Sequence, residues 1–456
     1  MPRELNKDAL GLIHSLVIGV AGSAPSFSIS ATMVALIASV GVLAPASLLY
    51  NGLIIIGIVL AYMHLNALHP NSGASYAWVT EIFGESLGFF AGWVLLVAST
   101  FFMVSASIPA GAATLLLFQS QYADSQVAVT LCALAWLILI TLFVVRGVGL
   151  TAKVQVVMTL IELAILFSIS LLVIIKFHDV AIHDFSWQNF SPYAFTPEKF
   201  ASGAVIALFL FWGWDVAINL NEETKNSKKA PGFGILGAII IVITIFTAFA
   251  SISLLSLSDH EISQSGTNII FAVADKIIPR PWSYIAVLAL MLSTIGNIET
   301  SMLQFSRTMF SISRDGTFSA RWSQVHPQWK TPFAATFLIA FIGAILLLLS
   351  MGSQSIAEVM AASINIIGVQ AAYYYGFAGF ACAWHFRQQA SSSVRSFITM
   401  LVWPAVSATA LWLAAVMTIM EFNKITAFIA IGSLLLGFIP LMQKRNKSSR
   451  LSRKNP

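Results

Sequence analysis

The chain of 456 residues is 58% hydrophobic and only 9% charged, with a net charge of +5. A soluble domain carries roughly 25% charged residues, so a chain this poor in charge has too little polar surface to cover itself in water. The composition excludes a soluble globular protein and predicts an all-α integral membrane protein. The small positive balance needs no nucleic acid to account for it.

A span needs about 20 mainly apolar residues. Twelve such segments follow one another: 10–40, 43–66, 86–118, 126–145, 153–176 and 199–220, then 232–257, 282–312, 332–352, 356–383, 397–419 and 424–443. Of the 24 lysines and arginines, Lys176, Lys199, Lys276, Arg280 and Lys424 alone fall in the connections on one side. The rest share the other side with both termini, and the positive-inside rule makes that side cytoplasmic. The tail "QKRNKSSRLSRKNP" reads as part of this topology signal or as a contact for anionic lipid. Cys132 and Cys382 lie within spans and form no disulfide framework. The first apolar segment is too long for a cleavable signal peptide. The longest outer connections, "HDVAIHDFSWQNFSPYAFTPEKF" and "LSDHEISQSGTNIIFAVADKIIPRPW", are too short for a domain, though the second has room for a short helix.

Non-helical backbone at membrane depth is tolerated only where it lines a cavity or is buried in protein, and secondary transporters build substrate sites from such interruptions in matching repeats. Span 1 contains "GVAGSAPSFS", where Pro25 removes an N–H and clashes with the preceding turn. Span 6 contains "FLFWGWDVAINLNEETKN", with Gly213 among bulky aromatics. The two stand five spans apart, as in a five-plus-five inverted repeat. Ordinary kinks are the competing reading, since Pro45, Pro109, Pro404 and Pro440 lie in other spans.

Three cytoplasmic connections carry a family resemblance. "HPNSGASYAWVTEIFGESLGFFAGW" after span 2 resembles the Pro-x-Ser/Ala-Gly-Gly-x-Tyr…Gly…Gly-Trp signature of the amino acid–polyamine–organocation permeases. "EETKNSKKAPGFGI" after span 6 is similar to that family's Glu-Glu-x-Lys-Asn-Pro…Pro segment. "SRTMFSISRDGTFSARWSQVHPQWKTP" after span 8 is similar to its Ser-Arg…Arg-Asp-Gly…Pro…Thr-Pro loop. The resemblance implies one repeat over 10–176 and a second, inverted one over 199–383. It also implies two appended helices over 397–443, a cytoplasmic N-terminus at 1–9 and a basic tail at 444–456. Alternating access without ATP hydrolysis is implied too, and no G-x-x-x-x-G-K-[ST] loop is present. Three departures stand out: Gly22-Ser23-Ala24 where the family often has Gly-Ser-Gly, Ala74 for the second glycine of the pair, and Asn226-Ser227 for Asn-Pro.

The resemblance implies a substrate site at Gly22, Ser23, Ala24, Phe209, Trp212, Gly213 and Asp215. Phe209 precedes Gly213 by four residues, matching the aromatic that closes over substrate in relatives, whereas Trp214 reads as packing. An amino-acid carboxylate would take free N–H groups at the positive end of a half-helix. Pro25 supplies none, which leaves Ser23 and Ala24. Aromatic faces and Asp215 would hold an ammonium.

Ionisable groups inside a membrane are functional candidates, and three acids lie within spans. Glu162 occupies a place where many relatives carry lysine, and reads as a proton-coupling acid or as a neutral acid bonded between helices. Asp215 reads as a counter-charge, a proton-linked gate or a strut. Glu299 shares a helical face with Asn297, Thr300 and Gln304, and reads as a proton site or as part of a polar network closed by Arg307. "YYY" at Tyr373–Tyr375 reads as helix contact, and His14 as interfacial. No His/Cys cluster suggests a metal, no nucleophile constellation suggests an enzyme, and no cofactor is expected.

The function expected is a secondary active transporter in the cell membrane, importing amino acids or related amines with protons. An amine exchanger is the first alternative. A transport-inactive sensor with the same fold is the second. The expected partners are the small-molecule substrate, protons and membrane lipids.

Overall fold

The computed structural model describes residues 4–184, 186–352, 356–420 and 422–444. Lipid leaves backbone polar groups no solvent partner, so each segment closes its hydrogen bonds internally as helix. The helices are α1 (Leu12–Ser23), α2 (Pro25–Val40), α3 (Ala44–Leu68), α4 (Ser75–Phe83), α5 (Glu85–Phe118), α6 (Gln126–Val145), α7 (Val148–Phe177), α8 (Pro197–Leu210) and α9 (Val216–Asn219). They continue as α10 (Ala230–Ser256), α11 (Asp259–Ser265), α12 (Ile269–Ile277), α13 (Ile285–Arg314), α14 (Phe333–Ser350), α15 (Ile356–His385), α16 (Val394–Ser396), α17 (Trp403–Met420) and α18 (Lys424–Leu435). A π-helical turn, Phe397–Val402, joins α16 to α17.

Among the described residues, ten stretches are long and apolar enough to cross a bilayer. Two features separate that number from the twelve segments of the sequence. Leu12–Leu68 is one stretch of 57 residues; straight, it would be roughly 86 Å long at 1.5 Å per residue. It instead contains the interrupted pair α1 and α2 and then turns back into α3 at Gly41–Leu43. The sixth segment is split into α8, of 14 residues, and α9, of four, and neither piece crosses the membrane alone.

Helix α13 lies at the centre, packed along α5 and α7 and touching α1, α2 and α9. Helix α15 fills the other side, against α5, α3, α8 and α17. Phe167 of α7, Leu349 of α14 and Phe428 of α18 point outward and exposed, as lipid-facing side chains do. The chain before α1 is stitched to the exit of the sixth segment: Leu10 N–H donates to the Glu223 carbonyl at 3.0 Å, and Lys225 N–H to the Leu10 carbonyl at 2.9 Å.

The outer connection after α10 holds two short helices, α11 and α12, rather than one. Glu261 accepts from Ser258 in a capping box and from Lys276 at 2.5 Å, which ties the pair together. Of the basic tail, Lys444 reaches Glu85 at 3.0 Å; residues 445–456 lie outside the described part, as do residues 1–3 of the N-terminal segment.

Candidate functional site

The two interruptions predicted from the sequence are both real, and they touch. Helix α1 ends at Ser23, Ala24 adopts φ 42° and ψ 73°, and Pro25 opens α2. An alanine in left-handed backbone costs roughly 1–2 kcal/mol, so this is strain held at the position where the family often has glycine. Ala74, the other replaced glycine, is likewise held at φ 46°. In the sixth segment the helix stops at Leu210, Gly213 takes φ 98°, and α9 resumes at Val216. A Cβ added to Gly22 would fall 2.2 Å from the Gly213 carbonyl oxygen, and one added to Gly213 would fall 2.1 Å from that of Gly22. Only glycine at both positions permits that approach.

Glu162 of α7 is buried and aimed at the first break. Its Oε1 accepts the Ser26 backbone N–H at 2.8 Å, at the first turn of α2. Asp215 is fully buried beside the second break, accepting from the Tyr375 hydroxyl at 2.7 Å, Gln304 Nε2 at 2.8 Å and the Tyr374 hydroxyl at 3.5 Å. Glu299, also buried, has an Oε1 with no partner among the described residues. The network that was to join it to Arg307 is not formed. Arg307 lies about 12 Å further along α13 at 1.5 Å per residue, and its guanidinium is committed to Glu223 through Nε at 2.9 Å and Nη2 at 3.1 Å. Thr300 bonds back to Asn297, while Gln304 turns to Asp215 and Asn219.

"YYY" is more than helix contact. The Tyr374 hydroxyl accepts from Trp212 Nε1 at 2.7 Å, and the Tyr375 hydroxyl accepts the Gly213 N–H at 3.3 Å. Tyr375 therefore braces the broken backbone itself, and Tyr374 the Trp212 side chain beside it. The sequence held a signal for this: hydroxyls in an apolar span need partners, and the buried acid of another span is one. Trp214 packs as expected, stacked on Tyr375 with ring centroids 5.1 Å apart and edge-on to Tyr62 at 5.1 Å.

Phe209 joins Phe27, Phe102 and Trp212 in one aromatic cluster, with Phe27–Phe209 centroids at 6.1 Å and Phe102–Trp212 at 5.0 Å. Phe27 borders a cavity of about 250 Å³ whose walls include Ser30, Pro109, Asp124 and Asn268. Phe209 borders another of about 160 Å³, with Thr32, Asn365 and Gly368.

The far side of the breaks is closed by polar contacts. The Arg307–Glu223 pair is fully buried. Arg314 grips Glu222 with both terminal nitrogens at 2.9 Å, and the Ser72 N–H adds a bond at 2.9 Å. Burial pushes the Glu222 carboxyl up, but Arg314 and Ser72 more than offset it and hold the group below the usual carboxylate range. Asn219 reaches the Ser72 carbonyl at 2.9 Å, and Asn221 reaches Asn66 at 2.7 Å. Ser72, Glu222, Glu223, Arg307 and Arg314 belong to the segments that carry the family motifs.

Comparison with known proteins agrees with the motifs. The sequence model of one family, described as "Amino acid permease", matches residues 8–446. The chain is 27% identical to the methylthioribose transporter of Bacillus subtilis (strain 168) over 62% of each chain; the match thus spans under two thirds of that relative's length. It is 25% identical to the serine/threonine exchanger SteT of the same organism, over 71% of this chain and 72% of that one. It is 25% identical to the Asc-type amino acid transporter 1 of Homo sapiens, over 63% and 55%. The chain belongs to the amino acid permease family, within the amino acid–polyamine–organocation superfamily that its motifs resemble.

Proposed function

We propose that this chain is a secondary active transporter of amino acids or related amines, working by alternating access in the cell membrane. The carrying observation is the contact of the two broken segments at Gly22 and Gly213, with Glu162 bonded to the first turn of α2. Substrate sits beside these breaks, against the aromatic cluster of Phe27, Phe102, Phe209 and Trp212. The cavity beside Phe27 is bordered by Asp124 and Asn268 of the lysine-poor connections, while the lysine-rich side is latched by the Arg307–Glu223 and Arg314–Glu222 pairs. With both termini cytoplasmic, this is a conformation closed toward the cytoplasm. Import requires the latch to open and the cluster to close in exchange.

In this reading Glu162 couples protons to substrate. It touches the segment that must move, so a change in its protonation alters the first turn of α2 directly. A tenfold difference in proton affinity between the two conformations is worth about 1.4 kcal/mol, enough to bias their equilibrium tenfold. Asp215, bonded by three neighbours, acts chiefly as a strut, and Glu299 is the second candidate for the proton. The reading is tested in proteoliposomes loaded and diluted to impose a pH gradient. Glu162→Gln is expected to abolish uptake driven by that gradient while preserving exchange of labelled for unlabelled substrate. Accumulation by Glu162→Gln with protons as the only drive would transfer the coupling role to Glu299 or Asp215. The named exchanger among the relatives supports the second reading, obligatory exchange, in which the parent protein itself ignores the pH gradient.

A further inference from the structure

Any carboxylate entering the first break must compete for the N–H groups at the start of α2, the positive end of a 16-residue helix. None of them is open. Pro25 has no N–H. The Ser26 N–H is held by Glu162 Oε1 at 2.8 Å, the Phe27 N–H by Ser293 Oγ at 3.2 Å, and the Ser28 N–H by the Ala24 carbonyl at 2.9 Å. The Ala24 N–H turns back to the carbonyls of Val20 and Ala21 at 3.0 and 3.1 Å. The Ser23 hydroxyl, the other expected donor, is spent on the Gly19 carbonyl at 3.3 Å, and Ser28 Oγ on the Ser23 carbonyl at 2.7 Å. Glu162 is thus a resident carboxylate at the dipole end where a substrate carboxylate would dock. A second anion would displace it or, whenever Glu162 is ionised, meet it as a like charge, which at close range in a poorly solvated site is strongly unfavourable.

What the neighbourhood does offer suits a cation. Phe27 presents its ring to the cavity of about 250 Å³, and Ser30, one turn further along α2, lines the same cavity. The Ser30 side chain is only 5% exposed and its Oγ has no partner among the described residues. Asp124 stands at the border of that cavity. Aromatic faces and a nearby carboxyl hold an ammonium and its apolar tail, and the Ser30 hydroxyl can accept from it; the rings and the carboxyl give an external carboxylate no partner.

We infer that the substrate of this chain is an organic amine without a free carboxylate, the place of the carboxylate being taken by Glu162. This deepens the transport reading above and rests on it for the position of the site. The test uses matched pairs on the full chain: leucine against isopentylamine, and serine against ethanolamine. Binding is read by thermal shift, and uptake by competition in proteoliposomes. In the parent protein at least one amine is expected to bind about tenfold tighter than its amino acid, a difference of about 1.4 kcal/mol. Glu162→Ala, which frees the Ser26 N–H and removes the resident anion, is expected to narrow or reverse that gap, whereas Glu162→Gln, which removes the charge but keeps an oxygen for Ser26, should narrow it less. Should Glu162→Ala fail to fold, the matched pairs on the parent decide alone. Amino acids binding as tightly as their amines would overturn the inference. Amine binding without uptake would uphold it and sink only the transport reading; binding of neither series sinks both.

Discussion

Gly22 and Gly213, nearly two hundred residues apart in sequence, meet backbone to backbone, so that a Cβ on either would penetrate the other's carbonyl oxygen at 2.2 or 2.1 Å. Neither obstacle is a flexible side chain, so an added methyl forces α1 and the sixth segment apart, and at Gly213 it also meets φ 98°. Gly22→Ala and Gly213→Ala are each expected to destabilise by about 1–3 kcal/mol, as overpacking does, and to cut uptake more than tenfold. Gly149→Ala and Gly432→Ala, which have open space at Cβ, should melt and transport like the parent. Melting in detergent alongside uptake in proteoliposomes reads both effects.

The Arg307–Glu223 pair is fully buried, so removing one partner strands a charge. Arg307→Met is expected to cost about 3–5 kcal/mol, and the double replacement Arg307→Met with Glu223→Met should recover most of it. Denaturant unfolding of the parent and the two variants checks this. A double variant no more stable than Arg307→Met would mean that the pair contributes through something other than charge compensation.

The Tyr375 hydroxyl serves two masters, donating to Asp215 and accepting from the Gly213 N–H. Tyr375→Phe leaves both with one bond fewer in a buried place and should cost about 1–3 kcal/mol. Tyr373→Phe is the control, because Tyr373 meets Phe377 and Trp412 through its ring and the phenylalanine keeps that ring. Equal melting of the two variants would return the whole tyrosine run to mere helix contact.

Glu222 is held below its ordinary range despite burial, through Arg314 and the Ser72 N–H. Its carboxylate therefore contributes stability above the unfolded value of about 4.3 and loses it only as pH falls through the lower folded value. The stability gap between the parent and Glu222→Gln should stay constant from about pH 8 to about pH 5 and close in stronger acid. A gap that changes near neutrality would show that this latch itself senses protons.

Much of this was legible along the chain. Charge scarcity decides the solvent, since polar groups alone keep a surface in water, and runs of about 20 apolar residues decide the spans. The breaks were legible too, because Pro25 cannot donate its N–H and Gly213 sits where bulky neighbours cannot follow it into left-handed backbone. The three buried acids could be picked out by their expense in lipid.

Partners could not be read in this way. Whether Glu162 faces Ser26, whether Arg307 answers Glu223, and whether Tyr375 reaches Asp215 are questions about groups 84 to 160 residues apart. Hydropathy and helical period are properties of neighbours in sequence, blind to which face of one helix meets which face of another. The tertiary structure decided those meetings. It brought two glycines together where no Cβ fits, gave Arg307 to the acid beside it in space and left Glu299 without it, and filled the first-turn N–H groups of α2 with the chain's own oxygens.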